Sequence, residues 1–147
     1  MLEKLDIVRV TKDGQPSPRP CTLNNDEFEF HKAFAVACGG MILSGDLLYE
    51  INAANIEVLK KLMADTGEAA VFDDDSFEVG RFKLKNLLCL FNWGDVPKTL
   101  NVSMDGKHNF TDFFTNEEVG DFINKFSIEI PAHSGRVIKW RTYEKAS

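Results

Sequence analysis

No stretch of the chain approaches the roughly 18 consecutive apolar residues that a membrane-spanning helix requires. The first residues, Met1-Leu2-Glu3-Lys4-Leu5-Asp6, lack the apolar core and small-residue cleavage site of a secretory signal. Cysteine is scarce. Cys21, Cys38 and Cys89 are too few to make a disulfide scaffold, and they lie far apart with no C-x-x-C spacing, which argues against a structural zinc site. They read as buried free thiols of a reducing, cytoplasmic compartment. Five prolines and ten glycines in 147 residues exclude collagen-like and low-complexity chains. Basic residues are in deficit: 17 Lys and Arg against 23 Asp and Glu give a net charge of −6, which repels phosphates. Neither nucleic acid nor a membrane is therefore expected as a partner. His31, His108 and His133 have no metal-ligand spacing, and no metal is expected. No phosphate-cradling glycine motif and no G-x-S-x-G elbow is present, so no cofactor is expected and no nucleophile stands out.

What is present changes character near Gly67. Ile7-Val8-Arg9-Val10 reads as a strand, and the segment Thr11 to Pro20 as a loop, because its prolines lack ladder donors. Asn24 and Glu27 have the spacing of a capping box. Phe30, Phe34 and Ala37, with Ala33 and Cys38 beside them, form one apolar helical face. Gly39-Gly40 stops that helix. Met41-Ile42-Leu43 reads as a short strand buried on both faces. A second helix runs from about Asn52 to Ala64, with Ile56, Leu59, Leu62 and Met63 inward and Lys60 and Lys61 outward. Beyond Gly67 strand-like runs recur about every 8 to 12 residues, as in an antiparallel sandwich. They include Phe82-Lys83-Leu84, Leu87 to Phe91, Thr99 to Met104, Asn109 to Phe114, Phe126 to Ile130 and Gly135 to Trp140. Asp105-Gly106 signals a hairpin turn.

The fold expected is α+β: a short helical remnant over residues 1–66, then an antiparallel β-sandwich over 67–147. Two helices and one or two short strands bury too little to stand alone, so the first segment reads as the end of something larger.

Candidate chemistry is sparse. Asp73-Asp74-Asp75 reads as a solvated turn, since a calcium loop spaces its ligands. Asp46 follows an apolar run and a glycine, where a carboxylate caps a helix or faces a ligand. Trp93, before a Gly-Asp turn, and Trp140 could stack on sugar rings or serve simply as packing.

These residues resemble a known family. Cys38 to Leu47 is similar to the segment near the last barrel strand of the melibiase-type glycoside hydrolases, the α-galactosidase clan, which ends in Ser-x-Asp-Leu. Cys21 to Phe28 resembles the turn before that family's acidic helix start, with Thr and Leu in reversed order. Leu5 to Val10 resembles its Asp-Pro-Asp-x-Leu strand without the Pro and the first Asp. Further on, Leu90 to Asp95 is similar to its Phe-Asn-Trp strand end, Phe110 to Glu117 to its Asp-x-Trp-Thr-x-Glu turn, and Ile130 to Val137 to its Pro-x-His final strand. The motifs run in the same order across nearly the whole chain.

The resemblance implies a retaining α-glycosidase built as a (β/α)8 barrel with a carboxy-terminal sandwich. Its two catalytic Asp residues would lie on earlier barrel strands, and no residue here matches either. The chain would then be an inactive carboxy-terminal fragment whose parent acts on an α-galactoside-type carbohydrate. Asp6 and Asp46 would lie at the mouth of the active site. Two other readings compete: a non-catalytic sugar-binding sandwich using Trp93 or Trp140, and a structural domain that self-associates through an exposed barrel-facing surface.

Overall fold

A computed structural model describes residues 9–10, 13, 16–17, 22–43, 51–64 and 67–143. Arg9–Val10 (β1) and Pro16–Ser17 (β2) pair as a two-stranded antiparallel ladder. The expected strand is therefore present at Arg9–Val10, and the proline-rich loop contributes its partner.

Helix α1 (Asn25–Cys38) starts where local chemistry directs it. Asn24 Oδ1 accepts the Glu27 N–H at 2.9 Å, and a Glu27 carboxylate oxygen accepts the Asn24 N–H at 2.8 Å. Two otherwise orphaned donors are thus satisfied reciprocally. Gly39 ends the helix in the left-handed conformation, φ 60°. Any side chain there would also fail sterically, since a Cβ would lie 2.0 Å from the Glu68 carbonyl oxygen.

The buried face of α1 is rotated from the expected one. Ala33, Val36 and Ala37 are buried, whereas Phe34 is 48% exposed and Cys38 is exposed. The cause is a close approach to the sheet: a Cβ on Gly135 would sit 2.9 Å from that of Ala33. Only small side chains fit that contact, so the larger Phe34 turns outward and stacks on Phe30. Cys38 is correspondingly not a buried thiol, while Cys89 is.

Met41-Ile42-Leu43 is not a strand. Met41 and Leu43 are 84% and 80% exposed, and Ile42 alone packs on the core. Helix α2 (Ala53–Ala64) buries Leu59 and Leu62, but Met63 is 51% exposed. Lys61 does not point to solvent. Its ammonium donates to the carbonyl oxygens of Phe113 and Phe114, at 2.7 and 3.0 Å, and to Asn116 Oδ1 at 3.1 Å. One long side chain thereby ties α2 to the end of a distant strand.

The remaining strands form one antiparallel sheet. They are β3 (Val71–Phe72), β4 (Val79–Arg81), β5 (Leu87–Phe91), β6 (Lys98–Asp112), β7 (Glu118–Ile130) and β8 (Gly135–Thr142), in the order β3-β4-β5-β8-β6-β7. The strand expected at Phe82 to Leu84 lies earlier, at Val79–Arg81, and Leu84 is exposed.

Asp105-Gly106 does not turn the chain into a hairpin. It forms a bulge within β6, between Ser103 and Lys107, with Gly106 at φ 94° and its N–H donating to Asn124 Oδ1 at 2.9 Å. The extra residues bend the long β6–β7 ribbon. The half of β6 beyond the bulge, His108 to Asp112, pairs with β8; the half before it, Lys98 to Ser103, pairs only with β7 and lies over the sheet. Leu100, Val102, Phe126 and Ile130 of the folded-over part pack on Leu88, Leu90 and Ile138, with Phe110 stacked on Phe126 at 4.3 Å. This makes the two-layer β-sandwich.

The opposite face of β5 and β8, formed by Leu87, Cys89, Phe91 and Val137, is covered by Ala33, Val36, Leu59 and Leu62 of the helices. Segments on either side of residue 66 therefore share one core.

Candidate functional site

Three separate segments meet beside the amino-terminal half of α1. Leu23, Glu27, Phe30 and His31 line a cleft of about 280 Å³ together with Trp93, after β5, and His133, in the β7–β8 turn. Glu27, Phe30 and His31 share a helix face because they lie at i, i+3 and i+4.

The turn that presents Trp93 is built by Asn92. This side chain is buried, and its amide donates to the carbonyls of Val96 (2.8 Å), Ile130 and Pro131 (both 3.0 Å). Its Oδ1 accepts the Gly94 N–H at 3.0 Å. Satisfying a buried amide this fully makes the turn rigid. The His133 turn is tied to it by two backbone bonds, Asn92 N–H to the Ser134 carbonyl (2.9 Å) and His133 N–H to the Gly94 carbonyl (3.2 Å).

Trp93 is 48% exposed. The indole N–H donates to the Phe77 carbonyl at 3.0 Å, and the ring packs T-shaped against Phe30 at 4.8 Å and tilted against Phe91 at 5.8 Å between centroids. His133 has φ 50°, and its Nε2 lies 2.8 Å from Asp95 Oδ1. The arrangement is an aromatic wall with imidazole and carboxylate groups around it. It suits binding of a small polar ring.

The other candidates are placed differently. Asp6 and Asp46 lie outside the described residues. Trp140 is half-buried in β8, packed against the sandwich core with its ring 5.1 Å from His108. Asp73-Asp74-Asp75 is a turn: Asp74 accepts hydrogen bonds from the Ser76 hydroxyl and, at 2.9 Å, from the Ser76 N–H, which together lower its pKa, and Asp73 pairs with Arg81 at 2.6 Å. Glu27, His31 and His133 were not legible as site residues, although the helical spacing of Glu27, Phe30 and His31 marks a shared face.

A second polar cluster lies on the sheet near the end of β8. Tyr143 donates to both oxygens of Asp121 at 2.7 Å, and Asn109 and Lys107 contact the same carboxylate at 2.9 and 3.1 Å. These bonds, the one from Tyr143 foremost, hold the Asp121 pKa at about 2. The same contact raises the pKa of the Tyr143 phenol.

No family model and no curated protein sequence matches the chain. Solved structures do. The chain superposes on a β-L-arabinopyranosidase from Geobacillus stearothermophilus, solved with arabinose, with a TM-score of 0.70 and 15% identity, covering 95% of this chain and 36% of that one. Against α-galactosidase I from Mortierella vinacea the TM-score is 0.61 and the identity 15%, over 85% and 38% of the two chains. Against the α-galactosidase from Saccharomyces cerevisiae, solved with raffinose, the values are 0.57 and 11%, over 83% and 44%. The chain thus spans less than half the length of these enzymes. At such identities the likeness carries the fold alone: the chain has the fold of the carboxy-terminal portion of α-galactosidase-type glycoside hydrolases.

Proposed function

We propose that this chain is the carboxy-terminal part of an α-galactosidase-like retaining glycoside hydrolase, in which the sandwich buttresses a catalytic barrel. The observation that carries the reading is the shared core. Helix α1 is seated on β5 and β8 through Ala33, Val36 and Ala37, while Phe34, Met41, Leu43 and Met63 stay exposed on the helical side. An inner face locked to the sandwich and an outer face rich in apolar groups suit a helix that belongs to a larger layer. The extent of the match, 36–38% of the first two solved enzymes above, supports the same reading.

Retaining hydrolysis uses two carboxyl groups about 5 Å apart, one as nucleophile and one as acid/base. In this reading both belong to barrel strands outside the chain, and Asp6 and Asp46 border the mouth. The substrate is an α-galactoside-type carbohydrate, and the isolated chain exposes enough apolar surface to self-associate.

The test is to join the chain to the barrel portion of its own gene, or of an α-galactosidase relative, and to follow p-nitrophenol release from p-nitrophenyl α-D-galactopyranoside. A stable, active enzyme only when the 147 residues are included supports the proposal. A barrel fully stable and active without them would overturn it.

A further inference from the structure

The cleft between α1 and the Trp93 turn is lined by Leu23, Glu27, Phe30, His31, Trp93 and His133. We infer that it is a binding site for a single pyranose sugar.

Trp93 is 48% exposed, although its N–H donates to the Phe77 carbonyl and its ring packs against Phe30 at 4.8 Å and Phe91 at 5.8 Å. A fixed, half-open indole binds a flat apolar partner without paying to order itself. The alternating C–H groups of a pyranose offer such a surface, and its hydroxyls need polar groups around the rim.

The rim carries such groups. His31 and His133 are exposed, and Glu27 is held in place by the capping box. Imidazoles and a carboxylate between them donate and accept, which matches hydroxyls. They come from α1 and from the β7–β8 turn, which is bonded to the Trp93 turn through Asn92 and Gly94, so the groups keep a fixed relation to the indole. At about 280 Å³ the cleft is at the small end for ligand sites, the size for one ring rather than a chain of sugars. A phosphorylated ligand is disfavoured, because Glu27 in the lining and Asp95, bonded to His133, carry its own sign.

The test uses the whole chain with Trp140→Phe, which leaves Trp93 as the only tryptophan. Methyl α-D-galactopyranoside, methyl α-D-glucopyranoside, L-arabinose and adenosine are titrated against its fluorescence. The expected result is a saturable change with at least one sugar, with a dissociation constant on the order of 1 mM. Trp93→Ala, followed by calorimetry or ligand-observed NMR, abolishes binding. Because that change also removes packing on Phe30, a second variant, His31→Ala with His133→Asn, leaves the indole and the fold in place. Asn tolerates the backbone that His133 adopts. This variant weakens sugar binding about tenfold, as loss of one or two hydrogen bonds implies. No saturable change with any sugar, unaltered affinity in the histidine variant, or tighter binding of adenosine than of every sugar would each overturn the inference. Failure here leaves the barrel-complementation result untouched, so the two proposals fail separately.

Discussion

The two faces of the β5–β8 pair are closed by different means. On one, the bent β6–β7 ribbon folds back and seals the core with large side chains, Phe110 on Phe126 and Leu88 and Leu90 beneath them. On the other, α1 and α2 approach through small ones, Ala33 against Gly135, and leave Phe34 and Met63 facing outward. The first face is complete within the chain. The second is closed toward the sheet and open beyond it. A layer that is finished on one side only is what the attachment of a further domain requires.

Substitutions can break this comparison in order of their expected cost. Phe126→Ala removes a fully buried ring from the ribbon core and is expected to cost about 3–5 kcal/mol in urea unfolding, with the whole chain melting together. Gly39→Ala places a methyl against the Glu68 carbonyl in a left-handed backbone, and about 3 kcal/mol is expected. Here hydrogen exchange is the sharper readout: amides of α1 lose protection while those of β5 and β8 keep it. If the sheet melts with the helix, the two faces are not separable. Lys61→Met takes an ammonium from three oxygen acceptors and is expected to cost about 2 kcal/mol, loosening α2 alone.

The smallest effect lies on the sheet surface. Asp121 titrates at about 2 in the folded chain, below the usual 3.8. A carboxylate with a depressed folded-state pKa contributes stability that is present above its unfolded value and lost as pH falls through about 2. Tyr143→Phe removes the largest cause, so the Asp121 titration should move up toward 3.8 in a carboxyl-detected NMR experiment, with stability at neutral pH little changed. An unmoved titration would assign the shift to Asn109 and Lys107 instead.

The same contrast explains what could be read from the residues alone. Features set by neighbours in sequence were legible: the Asn24–Glu27 capping box, the Gly39 stop, and the continuous apolar run Leu87–Phe91, whose five residues are all buried. Features set by a distant partner were not. The buried stripe of α1 depends on Gly135, and the orientation of Lys61 on the carbonyls at the end of β6. Asp105-Gly106 has hairpin chemistry, but the chain runs on as β6 because β7 pairs with it on both sides of the bulge. The candidate site divides in the same way. Trp93 before a Gly-Asp turn could be picked out, whereas Glu27, His31 and His133 become a group only when α1 docks on the two turns.

If the chain carries the supporting part of a glycosidase and not its chemistry, purified, folded protein incubated with p-nitrophenyl α-D-galactopyranoside releases no p-nitrophenol above the buffer blank at any protein concentration. Release that scales with protein, saturates with substrate and survives repurification would contradict this reading.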